Sequence, residues 1–340
     1  MASTFDGVPA GGDGSIAHGG RLAEARRLFP DAPQPFLDLS TGINPVPYPV
    51  PPLAPQAWSR LPEPDDLRRL EAAAAAAWGT EAGHVVAAPG TQVLISMLPR
   101  VVRLASVAVV GPTYAEHAAA WASAGAGVVA IGSPHEGHPC AGVVLCNPNN
   151  PDGRRHAPGD LAAIAEDRAR HGGLLVVDEA FADLEDGPLS LIPDLPGEGV
   201  VVLRSFGKTY GLAGLRLGFA VAGPRLAAAI REALGPWAVS GPAIEIGRAA
   251  LSDDAWLAVT RARLTADALR MDDLLAGAGL EVVGGTRLFR LARHRDALAL
   301  FDRLGRAGIF VRRFADHPNW LRVGLPAGER DWARLEAALR

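Results

Sequence analysis

The reading of this chain turns on Arg204-Ser205-Phe206-Gly207-Lys208-Thr209-Tyr210-Gly211-Leu212-Ala213-Gly214-Leu215-Arg216-Leu217-Gly218. Lys208 is the single lysine in 340 residues, so 32 of the 33 basic residues are arginine. Arginine supplies charge and phosphate contacts but keeps its proton, and so cannot act as an amine nucleophile. A chain that spends arginine everywhere else and retains one lysine has a use for an amine at that point. Val200-Val201-Val202-Leu203 just before it reads as a buried strand, and the lysine follows in a Gly-rich loop, where strand-end chemistry sits in α/β sheets. Ser205, three residues earlier, and Arg216, eight later, offer a hydroxyl and a guanidinium to an anion. The layout suits an aldehyde cofactor held by the amine, with a phosphate anchored nearby.

Composition narrows the setting. A hydrophobic fraction of 49% and a charged fraction of 21% describe a globular chain with ample core for one large domain and a smaller one. A net charge of −4 and a pI near 6.1 argue against a nucleic-acid or other polyanion surface. Cys140 and Cys146 are too few for a disulfide framework and read as small hydrophobes at a strand. With no basic-then-apolar leader and no run of 18 apolar residues, the expectation is a cytoplasmic protein without a membrane segment. No metal cluster is expected. The Gly-, Ser- and Ala-rich first fifteen or so residues read as a mobile arm.

Outward from the loop, the chain alternates strands and helices. His84–Ala88 is a short apolar strand, and Pro89-Gly90-Thr91-Gln92 then opens a helix whose free first-turn amides make an anion site. Ser106–Val110 is a strand followed by Tyr114; Gly127–Ile131, Gly142–Cys146 and Leu217–Val221 are further strands. Leu174-Leu175-Val176-Val177 ends in Asp178, a carboxylate that is costly at the end of a buried strand unless it has a partner. Glu179 and Asp183 are expected to be capping or solvated acids, and Asp65 or Asp66 to cap the alanine-rich helix ending at Trp78. Pro45–Pro55 reads as an extended connector. Residues 242–280 read as helical with a break near Asp253. Beyond them Leu288–Ala292, Ile309–Phe314 and Trp320–Val323 alternate like strands, between helices at 296–305 and 329–339. The expected domains are an N-terminal arm with part of the small domain (1–50), a large domain (51–238) and a C-terminal small domain (239–340).

Ser-x-x-Lys followed by Gly-x-x-Gly-x-Arg-x-Gly resembles the pyridoxal-phosphate lysine loop of the class I/II aminotransferases, the fold-type-I enzymes. Further motifs in the order of that family extend the resemblance from about His18 to the C-terminus. It implies a doubly wound, mostly parallel seven-stranded large domain and a small α+β domain, with pyridoxal 5'-phosphate as cofactor. It implies that Gly90, Thr91, Gln92, Ser205 and Arg216 hold the phosphate, that Lys208 carries the cofactor and that Tyr114 stacks on its ring. In Asn147-Pro148-Asn149-Asn150-Pro151-Asp152-Gly153, Asn150 takes the position whose amide donates to the 3-oxygen, and Asp152 replaces the usual threonine. Asp178 pairs with the pyridinium nitrogen, making Lys208, Asp178 and Tyr114 the expected catalytic set. Trp320-Leu321-Arg322-Val323-Gly324 resembles the motif whose arginine grips a substrate carboxylate. Gly308-Ile309-Phe310-Val311-Arg312 resembles the strand whose arginine meets a substrate phosphate.

Two departures bear on the reaction. Phe181 stands where many aminotransferases carry a tyrosine, and Leu61 stands where relatives reach a tyrosine across a dimer. His18-Gly19-Gly20 and Asn44-Pro45 resemble the segments that fold over the substrate in the decarboxylase branch, which acts on L-threonine O-3-phosphate in cobalamin biosynthesis. The resemblance therefore implies a homodimeric lyase acting on a small phosphorylated amino acid, with His18, Asn44, Arg312 and Arg322 as substrate ligands. Histidinol-phosphate aminotransferase is the rival reading, and a catalytically idle binding module is the reading from another class.

Overall fold

The computed structural model describes residues 18–195 and 197–340. The first fifteen or so residues, expected to be mobile, lie outside the described residues. The strands are β1 Leu37–Leu39, β2 Val85–Ala88, β3 Ser106–Val110, β4 Gly127–Ile131, β5 Gly142–Cys146, β6 Leu174–Asp178, β7 Val200–Ser205 and β8 Gly218–Ala222. They continue as β9 Glu281–Thr286, β10 Phe289–Arg293, β11 Ile309–Arg313 and β12 Trp320–Gly324. The chain forms two compact units. Among the described residues, no helix is long and apolar enough to cross a membrane.

The large unit, residues 47–150 and 155–257, holds a seven-stranded sheet in the order β2-β8-β7-β6-β5-β3-β4. β5, β6 and β7 are buried almost throughout, as expected of near-continuous Val and Leu runs covered by helices on both faces. Neighbours run parallel except at β8, which is antiparallel to both β7 and β2. β8, the last strand of this sheet along the chain, thus lies inside it. Its burial follows from Phe219, Ala220, Val221 and Ala222, all inaccessible to solvent.

The small unit contains residues 18–46, 151–154 and 258–340, with a five-stranded sheet in the order β1-β11-β12-β10-β9. β1 joins β11 in parallel; the other pairs are antiparallel. β9 escaped the sequence reading because Gly284-Gly285 break its alternation, and its pairing with β10 shifts register at Leu291/Ala292. Gly284 sits where a side chain would strike the Asp152 carbonyl at 2.0 Å.

Two expectations change. The second domain was expected from residue 239, but the helix Gly241–Leu251 packs with the helix Pro64–Trp78 in the large unit, and the division falls at 257/258. Ala243, Ile244, Ile246, Ala250 and Leu251 are buried in the large core, which is what draws that helix in. Asp65 and Asp66 do not cap the alanine-rich helix: Glu63 takes the N-cap position, Pro64 starts the first turn, and the two aspartates pair with Arg68 and Arg69 inside it.

Candidate active site

Strand register gathers the large-unit residues on one sheet edge. Cys146 lies opposite Asp178, Asp178 opposite Leu203, Ser205 opposite Gly218, and Gly218 opposite Ala88. The Asn147–Asn150 turn, Asp178, the Ser205–Lys208 segment and the Gly90–Gln92 turn therefore leave the sheet side by side, where α/β sheets bind ligands.

Lys208 is half-buried on the one-turn helix Phe206–Thr209, with its Nζ 6.0 Å from the centre of the Phe181 ring. Gly90, with φ +90°, caps the helix Thr91–Val101, and a Cβ there would lie 2.8 Å from Arg216 Nη2. Only glycine lets the backbone approach that guanidinium, so first-turn amides and an arginine converge on one small space. Tyr114 donates its hydroxyl hydrogen bond to Gln92 Oε1 at 2.9 Å, and Gln92 Nε2 donates to Glu116 Oε2 at 3.2 Å. Asn150 is half-buried at the strand end, while Asn149 beside it is fixed between the Thr113 hydroxyl (2.7 Å) and the Pro112 carbonyl (2.9 Å).

Asp178 has the partner its burial requires. His117 Nε2 is 2.9 Å from Asp178 Oδ2, and Asp178 Oδ1 accepts from the Ala180 amide at 3.0 Å. Burial by itself lowers the His117 pKa, but hydrogen bonds to Asp178 and then Cys146 outweigh it and raise the group to about 10. The imidazolium so held stands directly against the Asp178 side chain at the strand end. Among the described residues His117, Cys146 and Asp178 are also the group whose ligand atoms converge within 4.8 Å. The 2.9 Å His117–Asp178 hydrogen bond already accounts for two of the three.

Small-unit residues form a second, cationic arrangement. Arg312 and Arg322 are directly opposite on β11 and β12, so their side chains share one face. Arg322 is buried over the Phe289 ring and donates to the Ser40 carbonyl at 2.8 Å. Burial and then Arg312 push its pKa down, to about 9. Arg313 lies exposed on the other face, over Phe301. The Gly20 amide donates to Ser40 Oγ at 2.7 Å, which brings the His18–Gly20 loop to the residue that holds Arg322. His18 is half-buried at the start of that loop. Asn44 is buried, and its Oδ1 accepts from Arg263 Nη2 at 2.8 Å and the Val46 amide at 3.1 Å.

The class I and II aminotransferase model matches residues 51–336. The chain belongs to the class I and II aminotransferase family. Within this family it is 45% identical over 329 residues to a threonine-phosphate decarboxylase of Pseudomonas aeruginosa, covering 95% of this chain and 97% of the relative. A second threonine-phosphate decarboxylase, from a Sinorhizobium species, is 43% identical over 95% of this chain and 97% of its own length. A histidinol-phosphate aminotransferase of Symbiobacterium thermophilum is 36% identical over 57% of this chain and 55% of its own. The fold matches the structure of histidinol-phosphate aminotransferase from Sinorhizobium meliloti in complex with pyridoxal-5'-phosphate, with a TM-score of 0.81, 21% identity and coverage of 99% and 97% of the two chains.

A family cofactor bearing an aldehyde, a ring nitrogen and a phosphate finds a matching donor for each in this chain. Lys208 offers an amine, buried Asp178 a carboxylate, and the Gly90–Arg216 space an anion cradle that a Cβ would fill. Sequence reasoning missed His117, whose only signal was its place three residues after Tyr114. It also misjudged Glu179 and Asp183. Glu179 is inaccessible to solvent and Asp183 nearly so, and both pair with buried Arg204. They follow a buried strand into a short loop that folds inward onto β7, which made them resemble surface acids in the sequence.

Proposed function

We infer that this chain decarboxylates L-threonine O-3-phosphate, releasing carbon dioxide and leaving (R)-1-aminopropan-2-yl phosphate, with pyridoxal 5'-phosphate as cofactor. The observation that carries this reading is the near-full-length similarity to threonine-phosphate decarboxylases. The Arg312–Arg322 pair supports it independently. Two guanidinium groups directly opposite on one sheet face suit a substrate that carries both a phosphate and a carboxylate.

When bound, pyridoxal phosphate supplies an electron sink for the bond broken at the substrate Cα. The chain's residues do the rest. Lys208 would hold the cofactor through its amine, and the same amine would serve to return a proton to the substrate Cα where the carboxylate left. Asp178, hydrogen-bonded to His117, would pair with the ring nitrogen. Gly90, Thr91, Gln92, Ser205 and Arg216 would hold the phosphate, Tyr114 a ring face and Asn150 the 3-oxygen. Arg312 and Arg322, with His18 and Asn44, take the anionic ends of the substrate, which sets the Cα bond that breaks. Phe181 offers no hydroxyl to the 3-oxygen and instead lines the Lys208 amine.

We place the reaction in the cytoplasm, in assembly of the aminopropanol arm of cobalamin, and in a homodimer. The homodimer follows from the resemblance to the family. Leu61 has no hydroxyl to offer across such an interface. Sedimentation velocity of the purified protein tests the assembly.

The decisive assay mixes protein, pyridoxal phosphate and L-threonine O-3-phosphate with no keto acid and follows carbon dioxide over many turnovers. Steady release is the expected result. No release, together with glutamate formation from histidinol phosphate and 2-oxoglutarate, reassigns the chain as an aminotransferase.

A further inference from the structure

The loop after Asp178 and the loop that carries Lys208 are joined at three points. Glu179 Oε2 lies 3.1 Å from Arg204 Nη2; the Phe181 ring lies under Lys208 Nζ; and Asp183 Oδ2 accepts from Thr209 Oγ1 at 3.2 Å. The other oxygen of Asp183 takes Arg204 Nη1. One carboxylate thus brackets the lysine turn, bonded to a residue four before Lys208 and to the residue just after it. Ser190 completes the cluster: its hydroxyl donates to Glu179 Oε2 at 2.7 Å and accepts from Arg204 Nη2 at 2.7 Å. Arg204, Glu179 and Thr209 are almost wholly buried.

The cluster is an expensive way to hold a loop. Three ionisable groups have left water, and replacing such a set by apolar side chains is often neutral or stabilising. What it provides is direction, because the two oxygens of Asp183 tie Arg204, near the end of β7, to Thr209, the last residue of the four-residue turn that follows. We propose that the alternating residues Glu179, Phe181 and Asp183 are the positioning element of the Lys208 amine, with the Asp183–Thr209 hydrogen bond as its specific contact. Asp178 begins the same segment, so the element also couples the lysine to the carboxylate of the site. The inference rests on the reading of Lys208 as the cofactor-bearing amine.

The test compares holoenzyme forms of wild type, Thr209→Val, Thr209→Ser and Asp183→Asn. Thr209→Val keeps the shape of the side chain and removes the hydrogen bond. It is expected to lower kcat by about 10-fold or more, as a displacement of well under 1 Å does, and to leave KM within about 2-fold. The pH at which the visible absorbance of the Lys208-bound cofactor changes is expected to move by at least about 0.5 unit, with the melting temperature retained. Thr209→Ser is expected to restore both readouts. Asp183→Asn, which can accept from only one of the two partners, is expected to act in the same direction and carries the test should Thr209→Val fail to fold. Unchanged kcat and absorbance in Thr209→Val and Asp183→Asn overturn the proposal. So does a loss that Thr209→Ser does not rescue and that follows the melting temperature, since that marks a structural role. Borohydride fixation separates the two levels of inference, because Lys208 is the only lysine to be labelled. A wild type with no cofactor fixed at Lys208 refutes the cofactor reading and this inference with it; normal fixation with indifferent variants refutes this inference alone.

Discussion

His117 Nε2 lies 2.9 Å from Asp178 Oδ2, and neither side chain reaches solvent to a useful extent. The pair is a coupled unit in which an imidazolium raised to about 10 stands against a carboxylate. Because the folded pKa lies above the ordinary value near 6.5, folding takes up a proton between those two pH values. The stabilisation is complete below about pH 6.5 and is lost as pH rises toward 10. Urea unfolding of the protein at several pH values should show stability falling across that window, and His117→Gln should flatten the slope. An unchanged slope in His117→Gln assigns the pH dependence to other groups.

Lys208→Ala should abolish carbon dioxide release, by at least about 10³-fold, since both the amine attachment and a proton donor are lost. The visible absorbance of the bound cofactor should vanish with it. Activity within 10-fold of wild type would remove Lys208 from the chemistry.

Arg312→Gln should have opposite effects on folding and on binding. Relief of the repulsion with Arg322 should raise thermal stability by a few tenths of a kcal/mol up to about 1 kcal/mol. Loss of a charge-assisted hydrogen bond to an anionic group should raise KM by about 10-fold or more. Calorimetry and steady-state kinetics on one preparation read both. A stability loss with KM unchanged would place Arg312 in a scaffold role.

Gly90→Ala tests the anion cradle. The new Cβ meets Arg216 Nη2 at 2.8 Å, and the residue must keep φ near +90°. Backbone strain of about 1–2 kcal/mol and displacement of the guanidinium should weaken cofactor retention by about 10-fold or more. Fluorescence on dilution of the holoenzyme measures the loss, and full retention would show that the cradle is not the phosphate site.

Much of the large sheet was legible because its strands are short apolar runs ending in residues with no business in a core. Asp178 and Lys208 declared themselves by type and place: a carboxylate closing a Val run, and a lysine in a chain that otherwise uses arginine. β9 was not legible, since Gly284-Gly285 remove the side chains that alternation counts. Nor was the allegiance of the helix Gly241–Leu251, because an apolar helix face fits either unit until the available core is known. The buried roles of Glu179 and Asp183 depended on Arg204, which lies about twenty residues away in sequence and beside them only after β7 is laid next to β6.

The sequence by itself determined the chemistry on offer: one amine, a Gly-rich anion turn, a carboxylate at a buried strand end and two arginines in strands. Each is a property of residue type and local spacing, which survive in the unfolded chain. Tertiary structure alone decided which of these groups are neighbours and in what charge state they stand. Parallel register aligned Cys146, Asp178 and Leu203, the hydrogen bonds to Asp178 and Cys146 made His117 a cation against the opposing effect of its burial, and the folded loop brought Asp183 to both Arg204 and Thr209. Those effects arise from desolvation and distance, and neither is defined until the sheet has closed and water has left.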